Sequence, residues 1–187
     1  MGESNVPKAG KKIRRVFLDT PQAEALPEAL EAIAQADVVV LGPGSLFTSV
    51  IPNLLIPSIV DALATTSALR VYVCNVMTQP GETDGLSASE HVRALLAHAN
   101  HRSILDYVIV NQASISQAQS RKYALEGAHP VQADVAQLKA LGLEVRLGDY
   151  LDQLDLVRHD STKLAEEIMI LAGHHHFWQR TNGERVV

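Results

Sequence analysis

ADVVVLGPGSLFTS, the stretch at residues 36–49, decides the fold of this chain. Its first part is a short, continuous run of β-branched residues, which is typical of a strand that is covered on both faces of a sheet. Its second part is a glycine-rich turn followed by the beginning of a helix. A strand that leads through such a turn into a helix is the repeating unit of parallel α/β proteins, so this stretch predicts an α/β fold.

The same alternation continues along the chain. Continuous apolar runs recur at residues 71–74 and 107–110, and the segments between the runs carry apolar residues at helical spacing, as at residues 56–63 and 92–99. Strands that alternate with helices predict a three-layer, Rossmann-like domain whose mostly parallel sheet has helices on both faces. We expect a single domain over residues 1–187.

Later segments add three helices and one more strand. Helical patterns at residues 116–125 and 134–141 precede an alternating run at residues 143–147, which predicts an edge strand. A last helix is expected to follow, with Asp160 or Ser161 as its N-cap.

Two further signals mark helix starts, and one marks a charged surface. Pro27 suits a first helical turn, and Ser87 with Glu90 has the spacing of a capping box. We interpret a short basic run near the N-terminus as a solvated face beside a strand. This run consists of Lys11, Lys12, Arg14 and Arg15.

Composition narrows the function classes. The chain has 187 residues and a net charge of −5, with 16 Lys and Arg against 21 Asp and Glu. A protein with this overall negative charge does not attract nucleic acid or an anionic membrane through its net electrostatic field. Any anion site must therefore be local. The longest apolar stretch, residues 46–63, is broken by Pro52, Asn53 and Pro57, which predicts no membrane insertion. The single Cys74 lies in an apolar run, so we expect a core residue and a reducing, cytoplasmic setting.

The glycine turn is the first candidate site. Ligands of open parallel sheets bind beyond the carboxyl ends of the strands. Gly42 and Gly44 let the backbone approach a ligand closely, and the helix that begins after them adds a partial positive charge, which suits a phosphate. Ser45 and Thr48 would add hydroxyls to this site. The alternative is a tight turn with Ser45 or Thr48 as the helix cap, and the turn by itself leaves both interpretations open.

The second strand leads into a loop, residues 75–85, that is crowded with amides and hydroxyls. Such groups suit the recognition of a sugar, a base or a phosphate. Our candidate ligand-binding residues here are Asn75, Thr78, Gly81 and Glu82. Two alternatives stay open: Glu82 and Asp84 are oxygen ligands of the kind that hold Mg²⁺ beside a phosphate, and a solvated loop of turn formers has the same composition.

Further candidates come from later in the chain. Asn111 follows the third strand, and we expect the three strand ends to converge on one crevice. Arg158 precedes the last helix, where its guanidinium could clamp a diphosphate through paired hydrogen bonds. The alternative for Arg158 is a surface salt bridge, for example to Asp160. We interpret His159 as a structural histidine with satisfied hydrogen bonds, and we assign no metal to the three histidines at residues 174–176.

Two long motifs resemble the gluconeogenesis-factor (YvcK-like) family. They are ADVVVLGPGSLFTSVIPNLL at residues 36–55 and YVCNVMTQPGET at residues 72–83, and Gly2-Glu3-Ser4 and Val157-Arg158-His159-Asp160 also match. That family is similar in turn to the 2-phospho-L-lactate transferases of deazaflavin cofactor synthesis. Family members begin with a Gly-Gly-Gly-Thr-Gly segment that does not occur before Gly2, so we expect this chain to correspond to the C-terminal majority of the family fold.

The resemblance implies a cytoplasmic regulatory protein that binds a nucleotide-sugar of the UDP-sugar class, or another phosphorylated small molecule. It also implies a link to gluconeogenic growth, cell-wall synthesis and cell shape. On this hypothesis the ligand's diphosphate lies near Gly42, Gly44 and Ser45, with Arg158 assisting.

The alternative is a Mg²⁺-dependent enzyme similar to the 2-phospho-L-lactate transferases. Such an enzyme needs metal-binding carboxylates and a pocket for a flat deazaflavin, but aromatic residues make up only 4% of the chain, and Phe47 is the only one in the strand-end motifs. This composition favours a non-enzymatic binding protein. We expect no nucleic-acid partner, assign no cofactor other than Mg²⁺ for the alternative, and leave a homo-oligomer open.

Overall fold

The computed structural model describes residues 12–20, 23–152 and 156–183, with side chains as far as residue 175. The strands in these ranges are β1 (Val38–Leu41), β2 (Leu69–Val73), β3 (Tyr107–Asn111) and β4 (Glu144–Gly148). The helices are α1 (Pro27–Gln35), α2 (Ile51–Leu54), α3 (Pro57–Thr65), α4 (Ala88–His98), α5 (Gln117–Leu125), α6 (Val135–Ala140) and α7 (Ser161–Gly183). A π-helical segment, Leu46–Val50, leads directly into α2.

The four strands form one parallel sheet in the order β1-β2-β3-β4. This arrangement confirms the predicted α/β fold, and β4 lies at one edge of the described sheet, as expected. Strand β2 begins two residues earlier than the apolar run indicated, because a charged residue interrupts the pattern. Arg70 is accommodated in the strand since its guanidinium pairs with Asp106, whose Oδ2 accepts from Arg70 Nε at 2.9 Å.

Both faces of the sheet are covered by helices, which confirms the layered architecture. On one face, Val71 and Val73 pack in a cluster with Leu164 and Leu171 of α7. On the other face, Tyr72 of the same strand lies in a larger core together with residues of α2, α3, α4 and α6. Cys74 is fully buried in that core, as predicted.

The helix starts follow the local signals. Pro27 is the first residue of α1. Ser87 and Glu90 form the predicted capping box of α4, in which each side chain accepts a hydrogen bond from the other residue's backbone N–H. Of the two predicted caps of α7, Asp160 is the one used, because its Oδ1 accepts from the backbone N–H groups of Thr162 and Lys163 at 2.9 and 3.1 Å.

The predicted strand beside the basic run is absent from the described residues 12–20. The backbone N–H of Val16 donates to a side chain, His98 Nε2, at 3.1 Å rather than to a neighbouring strand. Lys11 and the Gly2-Glu3-Ser4 motif lie outside the described residues. No single helix of the described chain is long and apolar enough to cross a membrane. The helical segments within residues 46–65 reach that length and apolar composition only when taken together, and they are bent by 78° relative to each other.

Candidate functional site

A cavity of about 570 Å³ opens at the carboxyl ends of β1 and β2. Three chain segments form its wall: the turn after β1, the loop after β2, and the residues that precede α7. The lining residues are Pro43, Gly44, Ser45, Asn75, Val76, Met77, Gln79, Val157, Arg158 and His159. Four of the candidates chosen from sequence, namely Gly44, Ser45, Asn75 and Arg158, therefore line one cavity.

The glycine turn is built around two close approaches of the backbone. Gly42 has a φ of +80°, and a Cβ at this position would lie 3.0 Å from the carbonyl oxygen of Val73. A Cβ at Gly44 would lie 3.4 Å from Cβ of Ser49, so there is little spare room on that side. Gly42 itself is not among the residues that line the cavity. Its role in the structure is to shape the turn that brings Gly44 to the cavity wall.

The π-helical segment begins directly after this turn. The backbone N–H groups of Ser49 and Val50 both donate to the Ser45 carbonyl, at 2.9 and 3.0 Å. The amides that precede them, at the start of the helix, have no partner within the helix. Thr48 lies in this segment, but its hydroxyl is buried and it is not among the cavity-lining residues.

The loop after β2 is tied to the glycine turn by Gln79. Its Nε2 donates to Ser45 Oγ at 2.7 Å, and its backbone N–H donates to Thr83 Oγ1 at 2.8 Å. These bonds fix the distance between the segments that follow β1 and β2. Sequence reasoning did not select Gln79, because its contact with Ser45 joins residues that are 34 positions apart in the chain.

Three other candidates in this loop shape the loop itself. Thr78 is buried and exchanges two hydrogen bonds with His129: its N–H donates to the His129 carbonyl at 2.7 Å, and its Oγ1 accepts from the His129 N–H at 2.9 Å. The N–H of Gly81 donates to Asp84 Oδ2 at 2.7 Å in a turn where Gly81 has a φ of +79°. Glu82 is 9% exposed, and its N–H donates to the Gln79 carbonyl at 3.0 Å.

The end of β3 does not reach the cavity. Asn111 lines a neighbouring cavity of about 420 Å³, to which Val76 also contributes. Its side-chain Oδ1 accepts from the Tyr150 N–H at 3.0 Å, and its Nδ2 donates to the Ala113 carbonyl at 3.0 Å. The structure therefore brings together the ends of β1 and β2 with the segment before α7, and it leaves Asn111 at the side.

Arg158 reaches the cavity from a segment held by backbone hydrogen bonds. The Asp152 N–H donates to the Arg158 carbonyl at 2.9 Å, and the Asp160 N–H donates to the Tyr150 carbonyl at 2.8 Å. Arg158 is an exposed residue, and its guanidinium forms no ion pair within the described part of the chain. The suggested partner, Asp160, uses its carboxylate to cap α7.

His159 is half-buried in the cavity wall. Burial lowers the pKa of its imidazole, and a hydrogen bond with the backbone of Cys74 acts in the opposite direction. Its Nε2 is buried and has no hydrogen-bond partner in the described structure, so the expectation of a fully satisfied structural histidine is not met. The sequence motif Val157-Arg158-His159-Asp160 includes His159. Residue types alone, however, do not show whether each ring nitrogen finds a hydrogen-bond partner.

Acid–base, nucleophilic and metal groups are sparse around the cavity. Burial raises the pKa of Cys74 to about 12, so this thiol is protonated at neutral pH. Asp84 is exposed and accepts from Gly81, whereas Glu82 is buried. Within the described residues, no three His, Cys, Asp or Glu side chains come together as metal ligands.

The histidines at residues 174–176 lie in α7. His174 is exposed, and His175 Nε2 lies 3.0 Å from the Ser67 carbonyl oxygen. The side chain of His176 falls outside the described residues.

Comparisons with known proteins place the chain in a family. Residues 1–151 match the family profile described as 2-phospho-L-lactate transferase CofD. The chain is 51% identical over 170 residues to a gluconeogenesis factor from Halalkalibacterium halodurans, an alignment that covers 90% of this chain and 52% of that protein. It is 44% identical over 175 residues to the gluconeogenesis factor of Bacillus subtilis, covering 91% of this chain and 54% of that protein.

A solved structure gives the same result for the fold. A crystal structure of a UPF0052 family member from Bacillus halodurans superposes with a TM-score of 0.87 at 49% identity, covering 90% of this chain and 54% of that one. The chain spans about half the length of the curated relatives it matches. The specific motifs, the parallel sheet and the similarity over most of the sequence agree, and this chain, which is similar to gluconeogenesis factors, belongs to the CofD family.

Proposed function

We propose that this chain is a regulatory binding protein for a nucleotide-sugar of the UDP-sugar class. The ligand's diphosphate would lie between the glycine turn and Arg158. The observation that carries the proposal is the position of Arg158, which lines the same cavity as Gly44 and Ser45 while its guanidinium has no ion pair in the described part of the chain. An arginine without an ionic partner beside a glycine turn is a ready partner for a phosphate.

The local electrostatics support an anionic ligand. The chain as a whole carries a net charge of −5, so attraction for an anion has to come from the cavity itself. Arg158 is the only fully charged residue among the described residues that line the cavity. The amides at the start of the helix after Ser45 lie at the positive end of the peptide dipoles and would add hydrogen-bond donors.

Binding fits the cavity better than chemical turnover. Ser45 and His159 both line it, but His159 Nε2 has no hydrogen-bond partner, so the imidazole does not activate the Ser45 hydroxyl as a base would. Ser45 Oγ accepts instead from Gln79 Nε2. The family resemblance supports the choice of a UDP-sugar and the link to gluconeogenic growth, cell-wall synthesis and cell shape.

The test is an Arg158→Ala variant assayed by calorimetry with UDP-glucose, UDP-galactose and GDP-mannose, on the protein in its full natural length. Loss of a charge-assisted contact to a phosphate should cost about 1.5–3 kcal/mol of binding, or roughly a ten- to hundredfold loss of affinity. The melting temperature should stay close to that of the parent, because no described ion pair is removed.

The matched control is Arg102→Ala. Arg102 Nη1 pairs with the exposed Asp61 at 2.7 Å on the protein surface, so its removal should leave affinity unchanged and cost less than about 1 kcal/mol of stability. Unchanged affinity in Arg158→Ala would contradict the proposal. A loss of affinity that tracks a similar loss of stability would contradict it as well.

A further inference from the structure

Helix α5 is connected to two of the three segments that form the cavity wall. None of its residues is buried, so hydrogen bonds contribute more to its position than packing in the core does. Those bonds start at the last turn of the helix, at Tyr123. They run to the loop after β2 and to the segment before α7.

The first connection leads to the loop after β2. The Tyr123 carbonyl accepts from the Ala128 N–H at 3.0 Å, which folds the chain back at the end of α5. The residues that follow are bonded to the loop: His129 exchanges two hydrogen bonds with it, and the Val131 N–H donates to the Val76 carbonyl at 2.9 Å. Val76 lines the cavity. The C-terminal end of α5 is therefore attached to one cavity wall.

The second connection leads to the segment that carries Arg158. The Tyr123 hydroxyl accepts from the Val157 N–H at 3.0 Å, across 34 positions of the chain. Val157 lines the cavity and directly precedes Arg158. The Arg158 carbonyl accepts from the Asp152 N–H at 2.9 Å. A side chain of α5 therefore helps to hold the backbone from which the Arg158 guanidinium extends.

We propose that Tyr123 is a positioning residue for the phosphate site. Through Val157 it holds Arg158 at the distance from the glycine turn at which the guanidinium meets the diphosphate of the ligand. Tyr123 is not among the residues that line the cavity, so it acts through Arg158 and not on the ligand itself. The inference rests on the proposed function, since it requires that Arg158 binds the diphosphate.

Tyr123→Phe removes the hydroxyl and keeps the ring. The Val157 N–H then loses its partner, and the segment samples positions in which Arg158 does not meet the diphosphate. Apparent affinity falls in proportion to the fraction of molecules that keep the competent arrangement. A neutral hydrogen bond changes such an equilibrium by roughly two- to tenfold.

The test is a double-mutant cycle of Tyr123→Phe and Arg158→Ala, titrated by calorimetry with UDP-glucose and with UDP on the protein in its full natural length. If Arg158→Ala leaves too little affinity to titrate, Arg158→Lys takes its place, since lysine keeps the charge but not the paired hydrogen bonds. The matched control is Tyr107→Phe, because Tyr107 begins β3 at the end of the sheet opposite to the cavity. Hydrogen exchange of the Val157 amide in the ligand-free protein and the melting temperature of every variant are measured alongside.

We expect Tyr123→Phe to weaken the binding of UDP-glucose and of UDP by the same factor, about two- to tenfold, and Tyr107→Phe to change neither. In the Arg158→Ala background Tyr123→Phe should have no further effect, because no guanidinium is left to position, and in the Arg158→Lys background its effect should shrink. The Val157 amide should exchange faster in ligand-free Tyr123→Phe than in the parent.

Three results would overturn the assignment. Losses of affinity that multiply in the double variant would mean that Tyr123 acts on the fold and not through Arg158. A loss confined to UDP-glucose would mean that α5 contacts the sugar directly. Unchanged affinity in Tyr123→Phe would refute this inference alone, provided that Arg158→Ala weakens binding. If Arg158→Ala binds as tightly as the parent, or the parent binds neither probe, the proposed function fails and this inference fails with it.

Discussion

Alanine at Gly42 should destabilise the protein by an amount that can be worked out from two features of the turn. Gly42 has a φ of +80°, a conformation that costs an L-residue about 1–2 kcal/mol. The new Cβ would also lie 3.0 Å from the Val73 carbonyl oxygen, a backbone atom of a central strand that cannot move away cheaply. Crowding of this kind costs about 1–3 kcal/mol, so the free energy of unfolding should fall by about 2–5 kcal/mol in total.

The assay is urea unfolding followed by circular dichroism, with thermal unfolding as a second measurement. For a chain of 187 residues, this loss corresponds to a fall in melting temperature of roughly 4–20 °C. The matched control is Gly142→Ala, because Gly142 has a φ of +82° and nothing within 4 Å of the added Cβ. The control carries the same conformational cost and the same reduction of unfolded-chain entropy, but it has no close contact.

The difference between the two variants therefore isolates the contact with Val73. We expect Gly42→Ala to be less stable than Gly142→Ala by about 1–3 kcal/mol. Equal losses in the two variants would refute the reasoning, since they would show that the turn relaxes away from β2 at no cost.

Two further predictions concern helix α7 and a buried histidine. Asp160→Ala should lower the free energy of unfolding by about 1 kcal/mol in urea titrations, because it removes the cap of α7, while Asp160→Asn should retain most of the stability. Burial lowers the pKa of His91 below its usual 6.5, so protonation favours the unfolded state and stability should decline as the pH falls below about 6.5. His91→Gln should flatten that decline when unfolding is measured between pH 7 and 5, and an unchanged pH profile would contradict the assignment.

Much of the fold could be predicted because its signals are local. The continuous β-branched run at β1, the capping box of Ser87 and Glu90, and the proline at the start of α1 each depend on a few neighbouring residues. The π-helical segment after Ser45 could not be predicted in this way. Its hydrogen bonds differ from those of an α-helix by one position, and residue types alone do not distinguish them.

The candidate site was harder to predict, because the same side chains serve ligands and backbone equally well. Thr78 and Asn111 follow strands and carry the right groups, yet their polar atoms bond to His129 and Tyr150 respectively. Gln79 likewise follows a strand and carries a polar amide side chain. Only the three-dimensional structure shows that one of its two polar atoms is used by Ser45 and the other is not.

The turn at Gly42 connects the stability of the fold to the geometry of the cavity. Gly42 lies against Val73 at the end of β2, so it sets how closely the turn after β1 approaches the loop after β2. Across that gap, Gln79 Nε2 reaches Ser45 Oγ at 2.7 Å. A shift of the turn large enough to relieve a Cβ at Gly42 would lengthen this bond and displace Gly44 from the cavity wall. The loss of ligand affinity in Gly42→Ala should therefore exceed what its loss of stability explains, whereas Gly142→Ala should lose stability alone.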